Sequence, residues 1–221
     1  MNISKKIIFV TLLLIGSNIC FAQELSIRGG FNLSQFNFKA GDFVIHQEDT
    51  KFNSGFNVGP ILEVPMKNLF TLETGILFTS KGFKQSGYST GNESYLNKIN
   101  MFYLEVPVML KASYPIGKTK IFGMAGGYAA DALYGYYIGE GYVNSVRQYM
   151  KENINWGTRM RRFDYGLKFG VGLKIRDCQL GAAYGLGLKD ISDGATYKYR
   201  NRVIELYVVY KVKSFKKKVN N

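Results

Sequence analysis

The sequence predicts an all-β fold: an eight-stranded antiparallel up-and-down transmembrane β-barrel with short periplasmic turns and long extracellular loops. Three observations lead there. Apolar and polar residues alternate with a period of two over most of the chain. The alternating segments often run to about 10–14 residues, where soluble strands cluster near 5–6 and outer-membrane strands need about 9–11. The connections between them alternate short and long. Composition excludes other classes. Gly is 25 of 221 residues with no three-residue period, and there is no heptad, so collagen and coiled coil are ruled out. One His and two Cys leave too few ligands for a structural zinc site, and no cofactor or metal is expected.

Residues 1–22 read as a signal peptide. Lys5 and Lys6 precede an apolar run from Ile7 to Ile15, and Cys20-Phe21-Ala22 supplies small residues for cleavage after Ala22. The run is short for a membrane anchor. Ser17-Asn18-Ile19 makes a poor lipidation motif ahead of Cys20. Cleavage leaves 27 basic against 16 acidic residues, a balance of +11. It also leaves Cys178 as the only cysteine, so no internal disulfide is expected.

The barrel is placed at residues 23–213 and a basic tail at 214–221. In the first strand Leu25, Ile27, Gly29, Phe31 and Leu33 share one face, against Ser26, Arg28, Gly30, Asn32 and Ser34. Strands two to five lie near 53–65, 70–84, 99–112 and 119–133. The sixth, Asp164–Ile175, alternates most strictly: Tyr165, Leu167, Phe169, Val171, Leu173 and Ile175 oppose Asp164, Gly166, Lys168, Gly170, Gly172 and Lys174. Strands seven and eight lie near 178–189 and 202–213. Short turns fall at Met66–Leu69, Ser113–Lys118 and Arg176-Asp177, and long loops at 39–52, 85–98, 134–162 and 190–201. No later stretch has 18 consecutive apolar residues, so no transmembrane helix is expected.

The polar face separates a membrane barrel from a soluble, lipocalin-like one, which would turn its apolar face inward. That face carries Arg28, Glu63, Glu73, Lys81, Glu105, Lys111, Asp164, Lys168, Lys174, Glu205 and Lys211. Isolated charges in lipid are costly, whereas opposite charges facing inward pair. Gly on the same face leaves room for them, so a charge-filled, plugged lumen is expected. An open sheet would leave a long edge exposed. Phe36, Phe38, Phe52, Phe78, Phe83, Phe102, Tyr103, Tyr134, Phe163 and Tyr165 are assigned to a girdle at the long-loop end. Phe70, Tyr114, Phe122, Tyr207 and Tyr210 are assigned to one at the short-turn end. Pro60 and Pro107 fall inside strands, where bulges are expected.

Several motifs carry a family resemblance. They are Gly55-Phe56-Asn57-Val58-Gly59, Leu72-Glu73-Thr74-Gly75 with Ser80-Lys81-Gly82, Tyr103 through Lys111 (YLEVPVMLK), and Phe163-Asp164-Tyr165-Gly166. Across the mature chain the sequence resembles the PorT-type outer-membrane β-barrel proteins common in Bacteroidetes. The resemblance implies the barrel fold and an outer-membrane location. It implies no single activity, although the family's namesake works in protein secretion. The basic end Lys216–Asn221 departs from the terminal aromatic residue of many outer-membrane proteins.

No residue pattern marks catalysis. The only His, His46, lies in the first long loop with Asp42, Glu48 and Asp49, but no Gly-x-Ser-x-Gly elbow accompanies it. No catalytic, cofactor-binding or metal residues are assigned, and the chain is not expected to be an enzyme. Arg159, Arg161 and Arg162 are candidates for lipopolysaccharide phosphates. The same loop holds Tyr134, Tyr136, Tyr137, Tyr142, Tyr149 and Trp156, enough aromatic surface for a protein partner. The basic residues form no single stripe, so nucleic acid is not an expected partner. Outer-membrane lipids, lipopolysaccharide and envelope or secretion proteins are. The expected role is structural or partner-binding in the cell envelope; the alternatives are a narrow transport pore for small solutes or a lipid-active barrel enzyme.

Overall fold

The computed structural model describes residues 23–40, 43–44, 50–88, 94–143, 146–157, 160–193 and 197–215. The signal segment 1–22, His46 with Asp42, Glu48 and Asp49, Arg159, and the tail beyond Phe215 lie outside the described residues. The strands are β1 (Gln23–Ala40), β2 (Phe43–Val44), β3 (Thr50–Lys51), β4 (Asn53–Pro65), β5 (Phe70–Gly75), β6 (Leu77–Tyr88), β7 (Ser94–Ile116), β8 (Thr119–Val143), β9 (Val146–Asn153), β10 (Phe163–Ile175), β11 (Cys178–Gly187) and β12 (Tyr197–Phe215).

These strands close into a ring of eight antiparallel staves. β1 pairs on one side with β4 and on the other with β12, and that double pairing is the closure. β5 and β6 share one stave, and the order continues through β7, β8, β10 and β11 back to β12. Every main-chain group of a fully paired stave finds a partner, and a closed ring leaves no edge in lipid. Gly117 and Arg176, each the first residue of a two-residue turn, take positive φ, as tight hairpins require.

The alternation resolves as apolar outward and polar inward. Along β10 the outward Leu167, Phe169, Val171, Leu173 and Ile175 are exposed, while Asp164 and Lys168 are buried. Such a surface is stable against lipid tails, not water.

Three expectations need correction. First, the staves extend well past the sequence estimates. β7 has 23 residues and β8 has 25, so much of 85–98 and 134–162 is strand, and β9 folds back onto β8. Above a bilayer both faces of a sheet meet water, so no apolar face imposes a period of two. Second, Phe36, Phe83, Tyr103, Phe122 and Tyr207 are buried inside the barrel, not in girdles. The outer aromatic band at the long-loop end instead joins Phe56, Phe78, Phe102, Tyr134 and Tyr136 across β4, β6, β7 and β8, with neighbouring ring centroids 5.7–6.5 Å apart. Third, the pairing register runs unbroken through both prolines. Pro60 lies opposite Ile76 and Pro107 opposite Gly75, the point where β5 gives way to β6. Each proline presents its carbonyl, and not an N–H, to that stave: Ile76 N–H donates to Pro60 O at 3.1 Å and Thr74 Oγ1 to Pro107 O at 2.8 Å. Two missing donors facing one stave interrupt it without shifting the register. The observed shifts lie at Leu25/Ser26 and at Phe102/Tyr103, where the inserted Leu133 points outward.

Inner glycines make room for inner aromatics. A Cβ on Gly181 would sit 2.3 Å from the Tyr207 ring, and one on Gly172 2.4 Å from Phe122. Replacing Gly181 with valine is expected to destabilise the barrel by ~1–3 kcal/mol through overpacking. Adding Tyr207→Ala should recover part of that loss. The midpoint of the heat-induced change in gel mobility measures both.

Candidate functional site

The lumen holds two chains of alternating charge. The upper one, nearer the long loops, runs Arg28–Glu205–Lys168–Glu105–Lys81–Asp164. Lys168 Nζ reaches Glu205 at 2.7 Å, Lys81 Nζ reaches Glu105 at 2.8 Å and Asp164 at 3.3 Å, and all six residues are essentially inaccessible. Asn201 Nδ2 and the Tyr128 hydroxyl donate to Asp164 at 2.9 and 3.1 Å. Arg28 lies 3.6 Å above the Tyr207 ring centroid, and Lys81 lies 4.1 Å above that of Tyr128. The lower chain runs Glu73–Lys111–Glu63–Lys174–Glu24, with Gln179 bridging Lys111 and Glu63. Lys174 on β10 meets Glu63 on β4 at 3.2 Å. Those are opposite staves in a ring of eight, so the lower chain spans the whole lumen.

Alternation of sign matters because a lone buried charge costs several kcal/mol, while a paired and hydrogen-bonded one is tolerated. Two apolar clusters separate and cap the charged layers. β7 displays the order, since its inward residues from the long-loop side include Met101, Tyr103, Glu105, Met109 and Lys111 in turn. Tyr103 belongs to the outer plug with Phe36, Phe83, Met101, Ile154, Met160 and Ile191. Met109 belongs to an inner cluster with Phe122, Met124, Tyr207 and Val209. Below the lower charges lies an open cavity of about 340 Å³ at the short-turn end, lined by Glu24, Glu63, Lys111, Lys174 and Gln179 among others.

Ten of the eleven sequence-selected charges join these two chains. Lys211 does not; it pairs with Asp177 of the adjacent short turn, at the rim. Sequence reasoning missed Glu24, Gln179 and Asn57, whose Oδ1 accepts from Arg28 Nε at 3.0 Å. Asn57 and Gln179 share strand parity with inward glycines, Gly55 and Gly59 in one case and Gly181 in the other. That parity was the available signal. Of the loop arginines, Arg161 pairs with Asp193 at 3.4 Å, tying the third loop to the fourth, and Arg162 lies 5.8 Å over Trp156. Among the described residues no group of acids, His and Cys is arranged to hold a metal ion.

With closure, outward apolar staves and charged lumen in place, family comparison becomes informative. Residues 21–193 match the model described as outer membrane protein beta-barrel domain. The chain belongs to that family. Members of this barrel family reside in the outer membrane, as the exposed apolar belt of this chain requires. Solved structures with similar folds include Ail of Yersinia pestis in complex with the heparin analogue sucrose octasulfate, at 13% identity and TM-score 0.35, covering 87% of this chain and 99% of that one. The neisserial surface protein NspA gives 10% identity and TM-score 0.43, covering 86% and 99%. OprG of Pseudomonas aeruginosa gives 13% and 0.43, covering 88% and 99%. No curated protein matches the chain.

Proposed function

We propose that this family member is a non-conducting, non-enzymatic barrel that works by contact at its outer mouth, as a structural or partner-binding component of the cell envelope. The observation that carries this reading is the blocked lumen: two charged layers and two apolar clusters occupy it in series. A filled lumen leaves the outer surface for function. There β7, β8 and β9 rise together as a sheet, and every residue of β9 is exposed, including Tyr149 and Met150. Among the described residues β9 joins the sheet only through β8 and forms its margin, the position at which a partner strand adds. The motif resemblance to PorT-type barrels supports placing the partner among secretion or surface proteins.

Reconstitution into a planar bilayer should give no steady unitary openings. Stable openings with ion selectivity would replace this reading by a narrow solute pore. Mild crosslinking of intact cells should capture a defined envelope protein through β9, and capture should fall when Tyr149 and Met150 are replaced by aspartate. Unchanged capture would remove β9 as the contact.

A further inference from the structure

β12 carries a second basic feature that the loop arginines do not explain. Its outward residues from the short-turn end are Val212, Tyr210, Val208, Leu206 and Ile204, a continuous apolar column. The next three outward positions are Arg202, Arg200 and Lys198. Their inward neighbours fix the direction: Val203 and Asn201 are buried, and Tyr199 stacks on Phe36 inside the barrel. Apolar residues end and cations begin within one step, the change expected where lipid tails give way to headgroups.

Among the described residues the nearby carboxylate is Asp190, whose Oδ1 is taken by Tyr199 N–H at 3.0 Å and by Ser192, and no ion pair joins a described acid to Lys198, Arg200 or Arg202. Across the pairing to β1, Arg202 faces Gln35, Arg200 faces Asn37 and Lys198 faces Lys39; on the other side Arg202 faces Leu186. The Nε of both Arg200 and Arg202 is shielded from solvent and has no hydrogen-bond partner. No hydrogen bond or ion pair among the described residues holds either guanidinium, so an anionic oxygen at the terminal nitrogens meets no internal competitor. Residues i and i+2 on one strand face stand ~7 Å apart, so the column offers two planar forks and an ammonium along the bilayer normal.

We propose that Lys198, Arg200 and Arg202 form a binding site for the phosphate groups of an outer-leaflet glycolipid of the lipid A type. The site lies on the barrel wall, not in the loops. It deepens the reading of this chain as an outer-membrane barrel with lipopolysaccharide among its partners, and it rests on that reading. An acyl chain of the same lipid lies along Ile204, Leu206 and Val208, directly below the cations. A free phosphate has no such second contact.

The test uses the full barrel in phosphatidylcholine nanodiscs containing bisphosphorylated or dephosphorylated lipid A, with retained lipid counted by mass spectrometry. The parent protein should retain the bisphosphorylated form preferentially. K198Q/R200Q/R202Q should lower that retention at least about tenfold, with the heat-dependent gel mobility of the barrel unchanged. R200K/R202K, which keeps charge but removes the forks, should bind at an intermediate level and lose retention more steeply with salt. R161Q/R162Q should retain lipid like the parent. Loss in R161Q/R162Q with retention in the triple variant would overturn the wall site while leaving lipopolysaccharide as a partner. Equal retention of both lipid forms by the parent would overturn phosphate recognition altogether. Competition by millimolar inorganic pyrophosphate would reassign the column to soluble anions.

Discussion

Replacing Lys168 with methionine is expected to cost about 3–5 kcal/mol of barrel stability, the range for breaking a buried ion pair by removing one partner. Lys168 is 1% exposed and its ammonium donates to both Glu105 and Glu205. Methionine fills much of the same volume, so the loss isolates charge from packing. The upper chain balances three cations against three carboxylates; the variant leaves one carboxylate in excess. Glu105 keeps Lys81, and Glu205 keeps Arg28, which puts the loss near the lower end of the range. The companion variant K168M/E105Q returns the layer to neutrality and should recover a substantial part of the loss. Arg147→Met, which breaks an exposed pair with Glu140, should cost under ~1 kcal/mol. Heat-modified gel mobility and urea unfolding in lipid vesicles read all three. If K168M unfolds at the parent midpoint, water solvates the carboxylates and the lumen is not sealed.

What the sequence made legible follows from where a bilayer acts on the chain. Strict alternation in Asp164–Ile175 is enforced by lipid on one side and a packed lumen on the other, and β10 begins and ends within a residue of that estimate. The charge set was legible for the same reason, since parity alone assigns Arg28, Glu105 and Glu205 to one interior. Partner choice was not. Nothing in the spacing of Lys174 and Glu63 says that opposite staves meet, because that depends on the stagger of the closed ring. The aromatic girdles were half legible. Phe78 and Phe102 point out while Phe83 and Tyr103 point in, and composition near a strand end does not distinguish them where parity does. Between Phe102 and Tyr103 the register itself shifts, so parity counted from the far end of β8 fails across Leu133. The extended hairpin of β8 and β9 was not legible as strand: every residue of β9 is exposed, and the hairpin is held by main-chain pairing and by exposed side-chain contacts such as Arg147–Glu140 and Tyr134–Asn153.

Placing an arginine at Val208 should separate a lipid-facing wall from a water-facing one. Val208 is the middle of the five outward apolar residues of β12, 45% exposed, and pairs with Gly29 on one side and Leu180 on the other. Neither neighbour offers a counter-charge. At the bilayer midplane an outward arginine costs about 2–4 kcal/mol, falling to about 0–1 near the interface. Val208→Arg is therefore expected to lose about 2–4 kcal/mol in lipid vesicles. Ile204→Arg should lose little, because Ile204 sits one outward step below Arg202 and its guanidinium reaches the headgroups. A soluble barrel of the same sequence would show no dependence on depth, since both sites would face water. The comparison also bears on the cation column. Ile204→Arg extends Lys198, Arg200 and Arg202 by one position toward the tails, so it should hold bisphosphorylated lipid A at least as well as the parent while changing stability little. If Val208→Arg and Ile204→Arg both lose about 2–4 kcal/mol, Ile204 lies as deep in the lipid as Val208. The boundary that positions the phosphate site would then lie above Arg202.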